Sequence, residues 1–260
     1  MFWVITGLGA AAYLGGAIAI AMRQRAALAP THRDPQGAGD ATFQPWRAPH
    51  GEFLGYFRDA EQPRRLVLFF HGAGGEALDR AWVSEVVPAQ DVLVLAEYPG
   101  FGACPGRATD ANWLAQAEKL VEEARDRWGG IETLAVGENL GCSVVAGLAE
   151  KGKVDRIAMI SPFPSGSALT PGVYRFFPSG WRRGRRLNVE APLQTVKSPL
   201  QIVHGTLDAR VPVHQGRAVF QAYTGPHKGF EEVPGFDHTN MDQAVLHSPF
   251  TSRFREFLAN

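Results

Sequence analysis

Net charge, cysteine and metal-ligand spacing are all scarce in this sequence. Lys+Arg and Asp+Glu stand at 26 each over 260 residues, so the formal charge is zero. The chain therefore lacks the electrostatic footprint of a nucleic-acid binder, and no nucleic-acid partner is expected. There are two cysteines, Cys104 and Cys142. Two cysteines build no disulfide framework and neither lies in a C-x-x-C, so they read as packed or free thiols of a reducing compartment. His204, His214, His227 and His247 fall into no ligand spacing; they read as structural or exposed, and no metal is expected. Gly (29) and Pro (18) are plentiful without period, which suits many short loops rather than a low-complexity tail.

The first 22 residues, MFWVITGLGAAAYLGGAIAIAM, lack charged side chains altogether. About 20 apolar residues in a helix cross a hydrocarbon core of about 30 Å. Residues 1–22 are therefore expected to form a transmembrane anchor. A secretory signal peptide needs positive charge ahead of its apolar stretch. Here Arg23, Arg25 and Arg33 follow it, which places the remainder on the cytoplasmic side of a membrane such as a bacterial inner membrane. The Ala19-Ile20-Ala21 run keeps cleavage as the competing reading. Gly7, Gly9, Gly15 and Gly16 permit helix pairing without requiring it, so oligomeric state stays open. Residues 23–45, rich in Ala, Pro, Gly, Gln and Asp with no apolar period, read as a tether, and residues 46–260 as one domain.

Within that domain, short apolar runs alternate with helical patterns. The weak alternation over 51–58 suits an edge strand. Continuous apolar runs at 66–70 and 92–96 suit strands buried on both faces. Residues 109–128 are helical, with Trp113, Ala117, Leu120, Val121, Ala124 and Trp128 on one face and Thr109 or Asp110 as cap. Strands are expected at 134–136, 154–160, 199–204 and 230–233, and helices at 140–150, 213–223 and 249–258. Such alternation implies an α/β fold with a mostly parallel sheet covered on both faces. Reactive groups then gather in the loops at the carboxyl ends of the strands.

Each strand end carries a distinctive loop. His71-Gly72-Ala73-Gly74-Gly75 follows the first apolar strand, and Tyr98-Pro99-Gly100-Phe101-Gly102 follows the second. Gly137-Glu138-Asn139-Leu140-Gly141 joins a strand to a helix. Gly205-Thr206-Leu207-Asp208 precedes Val211-Pro212, and Asp237-His238 follows the last strand. The Gly-rich loop lacks the Lys-Ser/Thr of a phosphate loop and the spacing of a dinucleotide fingerprint, so no cofactor is implied.

In this order the five loops resemble the α/β-hydrolase superfamily, and within it the small membrane-anchored serine hydrolases related to serine aminopeptidases. The resemblance spans roughly residues 50–258. It implies an α/β-hydrolase fold whose nucleophile, acid and base follow one another along the chain. Carried over by position, His238 is the general base and Asp208 the acid that orients it. Ala73 and Leu140 supply the oxyanion N–H groups. His71, Gly72, Tyr98 and Ser161 stand around the substrate, with His71 orienting its loop and Glu97 bonding loop backbone. Gly137 and Gly141 leave room for a tight strand-to-helix turn. The nucleophile position holds Asn139, where the family has Ser or less often Cys or Asp. An amide is not deprotonated by imidazole at neutral pH, so the acyl-enzyme route is blocked. No G-x-S-x-G occurs elsewhere. Cys142 and Ser143, one turn into the helix, are expected to face core.

The stretch 162–198 corresponds to the family's cap. Its Tyr174, Arg175, Phe176, Phe177, Trp181, Arg182, Arg183, Arg185 and Arg186 suit contact with lipid head groups; a solvated lid with an aromatic foot is the alternative. The implied partner is a small-molecule or lipid-like acyl substrate or ligand, together with a membrane through the N-terminal helix. Three functional readings follow: a ligand- or partner-binding pseudo-hydrolase, an active hydrolase or lyase using the Asp208–His238 dyad with water or a substituted nucleophile, and a serine hydrolase carrying one substitution.

Overall fold

The computed structural model describes residues 42–166, 168 and 187–260. The expected membrane anchor (1–22), most of the tether and the basic-aromatic part of the cap lie outside these residues. No helix among the described residues is long and apolar enough to cross a membrane.

Eight strands form one sheet: β1 (Gln44–Arg47), β2 (Phe53–Arg58), β3 (Arg65–Phe70), β4 (Val92–Ala96), β5 (Glu132–Glu138), β6 (Arg156–Ile160), β7 (Leu200–Gly205) and β8 (Lys228–Val233). Their order is β1-β2-β4-β3-β5-β6-β7-β8. β1 pairs antiparallel with β2, and β2 with β4; every pairing from β4 through β8 is parallel.

The apolar strands are buried on both faces because helices cover both. Leu66, Leu68 and Phe70 of β3 point into one core with α1 (Asp110–Trp128) and α2 (Gly141–Glu150). Val67 and Phe69, alternating with them, enter a second core with the 3-10 segment Ala77–Glu85, α5 (Met241–His247) and α6 (Ser252–Ala259). A short helix, α3 (Glu190–Leu193), and α4 (Val213–Ala222) complete the first layer. The face predicted for α1 is the buried one, apart from half-buried Trp128, and Thr109 Oγ1 accepts the Asn112 N–H at 3.2 Å as its N-cap.

The structure corrects the edge assignment. β2 is interior, with every residue but Arg58 buried, and the edge on that side of the sheet is β1. β1 is four residues long and contains Pro45, which an edge strand tolerates because one side of it needs no donor. Phe43, just ahead of it, is also buried. Four short elements escaped the sequence reading: β1, the 3-10 segment, α3 and α5. None is long enough to display a clear period. The closing helix begins as a 3-10 turn at Pro249–Thr251 before α6.

Candidate active site

Five loops at the carboxyl ends of β3, β4, β5, β7 and β8 meet above the sheet. The turn from β5 into α2 is tight. Asn139 adopts φ 47, the left-handed region, and its N–H reaches across to Ile160 O of β6 at 2.9 Å. Asn is among the few non-glycine residues that enter this region readily. The turn also needs bare backbone on either side. A Cβ on Gly141 would lie 1.9 Å from Phe70 O, and one on Gly137 would lie 2.7 Å from Cys142 N. The strand, the turn and the loop after β3 are thus pressed together. Gly72 belongs to the same contact, since a Cβ there would stand 3.4 Å from the Asn139 Cβ.

Asp208 and His238 come from different strand ends and meet. His238 Nδ1 lies 2.6 Å from Asp208 Oδ2. The other carboxylate oxygen accepts the N–H groups of Arg210 at 2.9 Å and Val211 at 2.7 Å. Burial acts to raise the Asp208 carboxyl. The hydrogen bonds from His238 and Val211, with the charges of His238 and His204, outweigh it and hold the group below its ordinary value. The two loops are stitched together by the Leu207 N–H to Phe236 O at 2.9 Å and the Thr206 N–H to Val233 O at 3.1 Å. His204 lies behind them, fully buried, with Nε2 at 2.7 Å from Val211 O and 3.6 Å from Asp208 Oδ2. Burial lowers its pKa, which favours a neutral ring that supports the acid loop.

A cavity of about 560 Å³ opens between these loops. It is lined by Gly72, Ala73, Gly74, Arg80, Glu138, Asn139, Arg210, Val211, His238 and Thr239. Asn139, His238 and the Gly72–Ala73 backbone therefore share one space. The N–H groups of Ala73 and Leu140 donate to no group among the described residues, as an oxyanion site requires.

Three expected substrate contacts are corrected. The His71 side chain is fully buried, with Nδ1 at 2.7 Å from Gly72 O and Nε2 at 2.9 Å from Glu97 Oε1. Both nitrogens are taken, so the ring orients its loop and does not reach the cavity. Glu97 also accepts the Ala77 N–H at 3.1 Å, which ties the loop to the 3-10 segment. Tyr98 is buried too, and its hydroxyl donates to His71 O at 3.0 Å. Ser161, at the end of β6, has φ 49 and is buried; its Oγ has no partner among the described residues and does not line the cavity. Cys142 faces core as expected, its Sγ 3.2 Å from Gly137 O. Ser143 is half-buried and donates to Leu140 O at 2.8 Å.

The sequence reading missed the charged wall of the cavity. Arg80 grips Glu138 with two bonds, Nε–Oε2 at 2.7 Å and Nη2–Oε1 at 2.8 Å, and donates to Gly74 O at 2.7 Å. Burial pulls the Arg80 guanidinium downward, but the hydrogen bond and charge of Glu138, helped by Asp79, leave it raised. Glu138 was legible as the neighbour of Asn139, whereas Arg80 lies in the 3-10 segment that no periodicity marked. Among the described residues no group of three or more His, Cys, Asp or Glu is arranged to hold a metal ion.

No family model matches the chain. Among curated proteins it is similar to alpha/beta hydrolase domain-containing protein 17C of Xenopus laevis, 24% identical over 232 residues, covering 83% of this chain and 68% of that one. It is also similar to human protein ABHD12B, 25% identical over 200 residues, covering 66% and 55%. Among solved structures, a Pyrococcus furiosus esterase superposes with a TM-score of 0.68 at 14% identity, covering 89% of this chain and 96% of that one. A Paleococcus ferrophilus monoacylglycerol lipase superposes with a TM-score of 0.60 at 18% identity, covering 78% and 97%. The parallel sheet with helices on both faces, and its likeness to these solved structures, give the chain an α/β-hydrolase fold, and the curated proteins it is similar to include an alpha/beta hydrolase domain-containing protein.

Proposed function

We propose that this chain is a hydrolase-fold protein of serine-hydrolase ancestry that keeps a site for acyl compounds but no longer forms an acyl-enzyme. The carrying observation is Asn139 in the left-handed turn, lining the same cavity as a His238 already oriented by Asp208. In this reading His238 is the base, Asp208 the orienting acid, and Ala73 and Leu140 the oxyanion donors. The attacking group is missing, because an amide neither loses a proton to imidazole nor attacks a carbonyl at useful rates. The native role is then binding of a small-molecule or lipid-like acyl ligand, or of a partner. Residues 1–22 hold the domain at the cytoplasmic face of a membrane, which a fusion-reporter topology assay checks.

The test is p-nitrophenyl ester hydrolysis. The chain as given is expected to be inert and Asn139→Ser active. Adding His238→Ala to the serine variant is expected to remove roughly 10²–10⁴-fold of that activity, the usual contribution of a general base. An inert serine variant that still folds sinks this reading.

The intact dyad supports a second reading. With Asp208 and His238 still bonded at 2.6 Å, His238 activates water and the Asn139 amide donates to the developing oxyanion. Turnover by the unaltered chain that disappears with His238→Ala would establish it.

A further inference from the structure

The cavity's charges do not cancel. Arg80 and Glu138 neutralise each other in a two-point ion pair. Asp208 is turned away toward His238 and the backbone N–H groups of its own loop. That leaves Arg210. Its backbone N–H is used by Asp208, but its guanidinium makes no hydrogen bond or ion pair among the described residues, and it lines the cavity beside His238 and Asn139. Residues 161–189 contain five arginines and no Asp or Glu.

We propose that Arg210 is a specificity-determining residue, and that the site takes an acyl compound carrying an oxyanion group, a carboxylate or a phosphate, a short distance from its ester or acyl carbon. This rests on the acyl-site reading above. An arginine presents a planar fork of donors that matches both groups. Arg210 lies two residues from the acid that orients His238, so an anion held there sits beside the reacting position.

The test is calorimetric binding to the unaltered chain, which needs no turnover. The probes are monoethyl succinate, monobutyl phosphate and neutral diethyl succinate. At least one anionic probe is expected to bind about tenfold more tightly than the neutral ester, as one charge-assisted contact at a partly solvated site provides. The ratio should collapse toward unity in Arg210→Gln and recover in part in Arg210→Lys. Which anion wins separates a carboxylate from a phosphate ligand. Equal binding of all three probes, binding of the neutral ester alone, or no binding overturns the proposal. So does discrimination that survives Arg210→Gln, which would move the anion contact to another cation. If the anions bind but Asn139→Ser is inert toward esters, the acyl-site reading falls and the anion site stands. If Asn139→Ser is active and the anionic probes do not compete, the reverse holds.

Discussion

Asp208 Oδ2 stands 2.6 Å from His238 Nδ1, while Oδ1 closes its own loop onto the N–H groups of Arg210 and Val211. One carboxylate thus fixes both a histidine and the turn that carries it. Its folded pKa lies below the ordinary value. Its contribution to stability is therefore complete above the unfolded carboxyl's range near about 3.9 and is lost as pH falls through the lower folded value. Asp208→Asn is expected to cost about 2 kcal/mol near neutrality. Urea midpoints of the two proteins should converge as pH falls below the unfolded carboxyl's range. A gap that stays constant with pH would show that the charge is not what is lost.

Asn139 occupies its turn at φ 47. Replacing it with Ala should destabilise the chain by about 1 kcal/mol, while Asn139→Gly should be near neutral, because only the alanine Cβ opposes the left-handed conformation. Thermal or denaturant midpoints of the pair decide this. Equal losses would mean that the amide's contacts, not the backbone, set the preference.

Gly141→Ala is a sterner case. The new Cβ would lie 1.9 Å from Phe70 O, a backbone atom of a central strand with no room to retreat. The expected loss is on the order of 3 kcal/mol, seen as poor soluble yield or a strongly lowered melting temperature.

The Arg80–Glu138 pair is mostly shielded, with side-chain exposures of 14% and 22%. Glu138→Ala strands a guanidinium beside the cavity and should cost about 2 kcal/mol. Arg80→Ala combined with Glu138→Ala should be less harmful than the sum of the single changes. Additive losses in that cycle would remove the pair from the structural account.

Cys104 and Cys142 are both buried and unpaired. Burial, with the charges of Glu97 and Glu52, pushes the Cys104 thiol up to about 12, and burial holds Cys142 well above its ordinary value. Neither should react with a chromogenic thiol reagent at neutral pH until denaturant is added, when two thiols should titrate. Rapid reaction of the folded protein would contradict the packing.

Much of the architecture was legible because continuous apolar runs and 3.6-residue periods declare doubly buried strands and amphipathic helices. The run Arg65–Phe70 and the face of Asp110–Trp128 needed no tertiary information. The edge strand Gln44–Arg47 and the 3-10 segment Ala77–Glu85 carry no continuous apolar run, so they went unseen. With that segment went Arg80, and with Arg80 the charged wall. His71 and Tyr98 were placed at the substrate by motif, yet the structure turns both side chains inward. Spacing along a loop does not say which way a ring points.

The sequence by itself determined the fold class, the chain order of the loops, and the presence of Asn139, Asp208 and His238 in them. Burial of apolar strands and the backbone freedom of glycine are local properties that write themselves into residue order. Only the tertiary structure decided that Asp208 meets His238 across 30 residues, that Glu138 is spent on Arg80, and that Arg210 keeps its charge unanswered among the described residues. Pairing between charges depends on distance in space, and strand ends far apart in the chain become neighbours only when the parallel sheet brings them together.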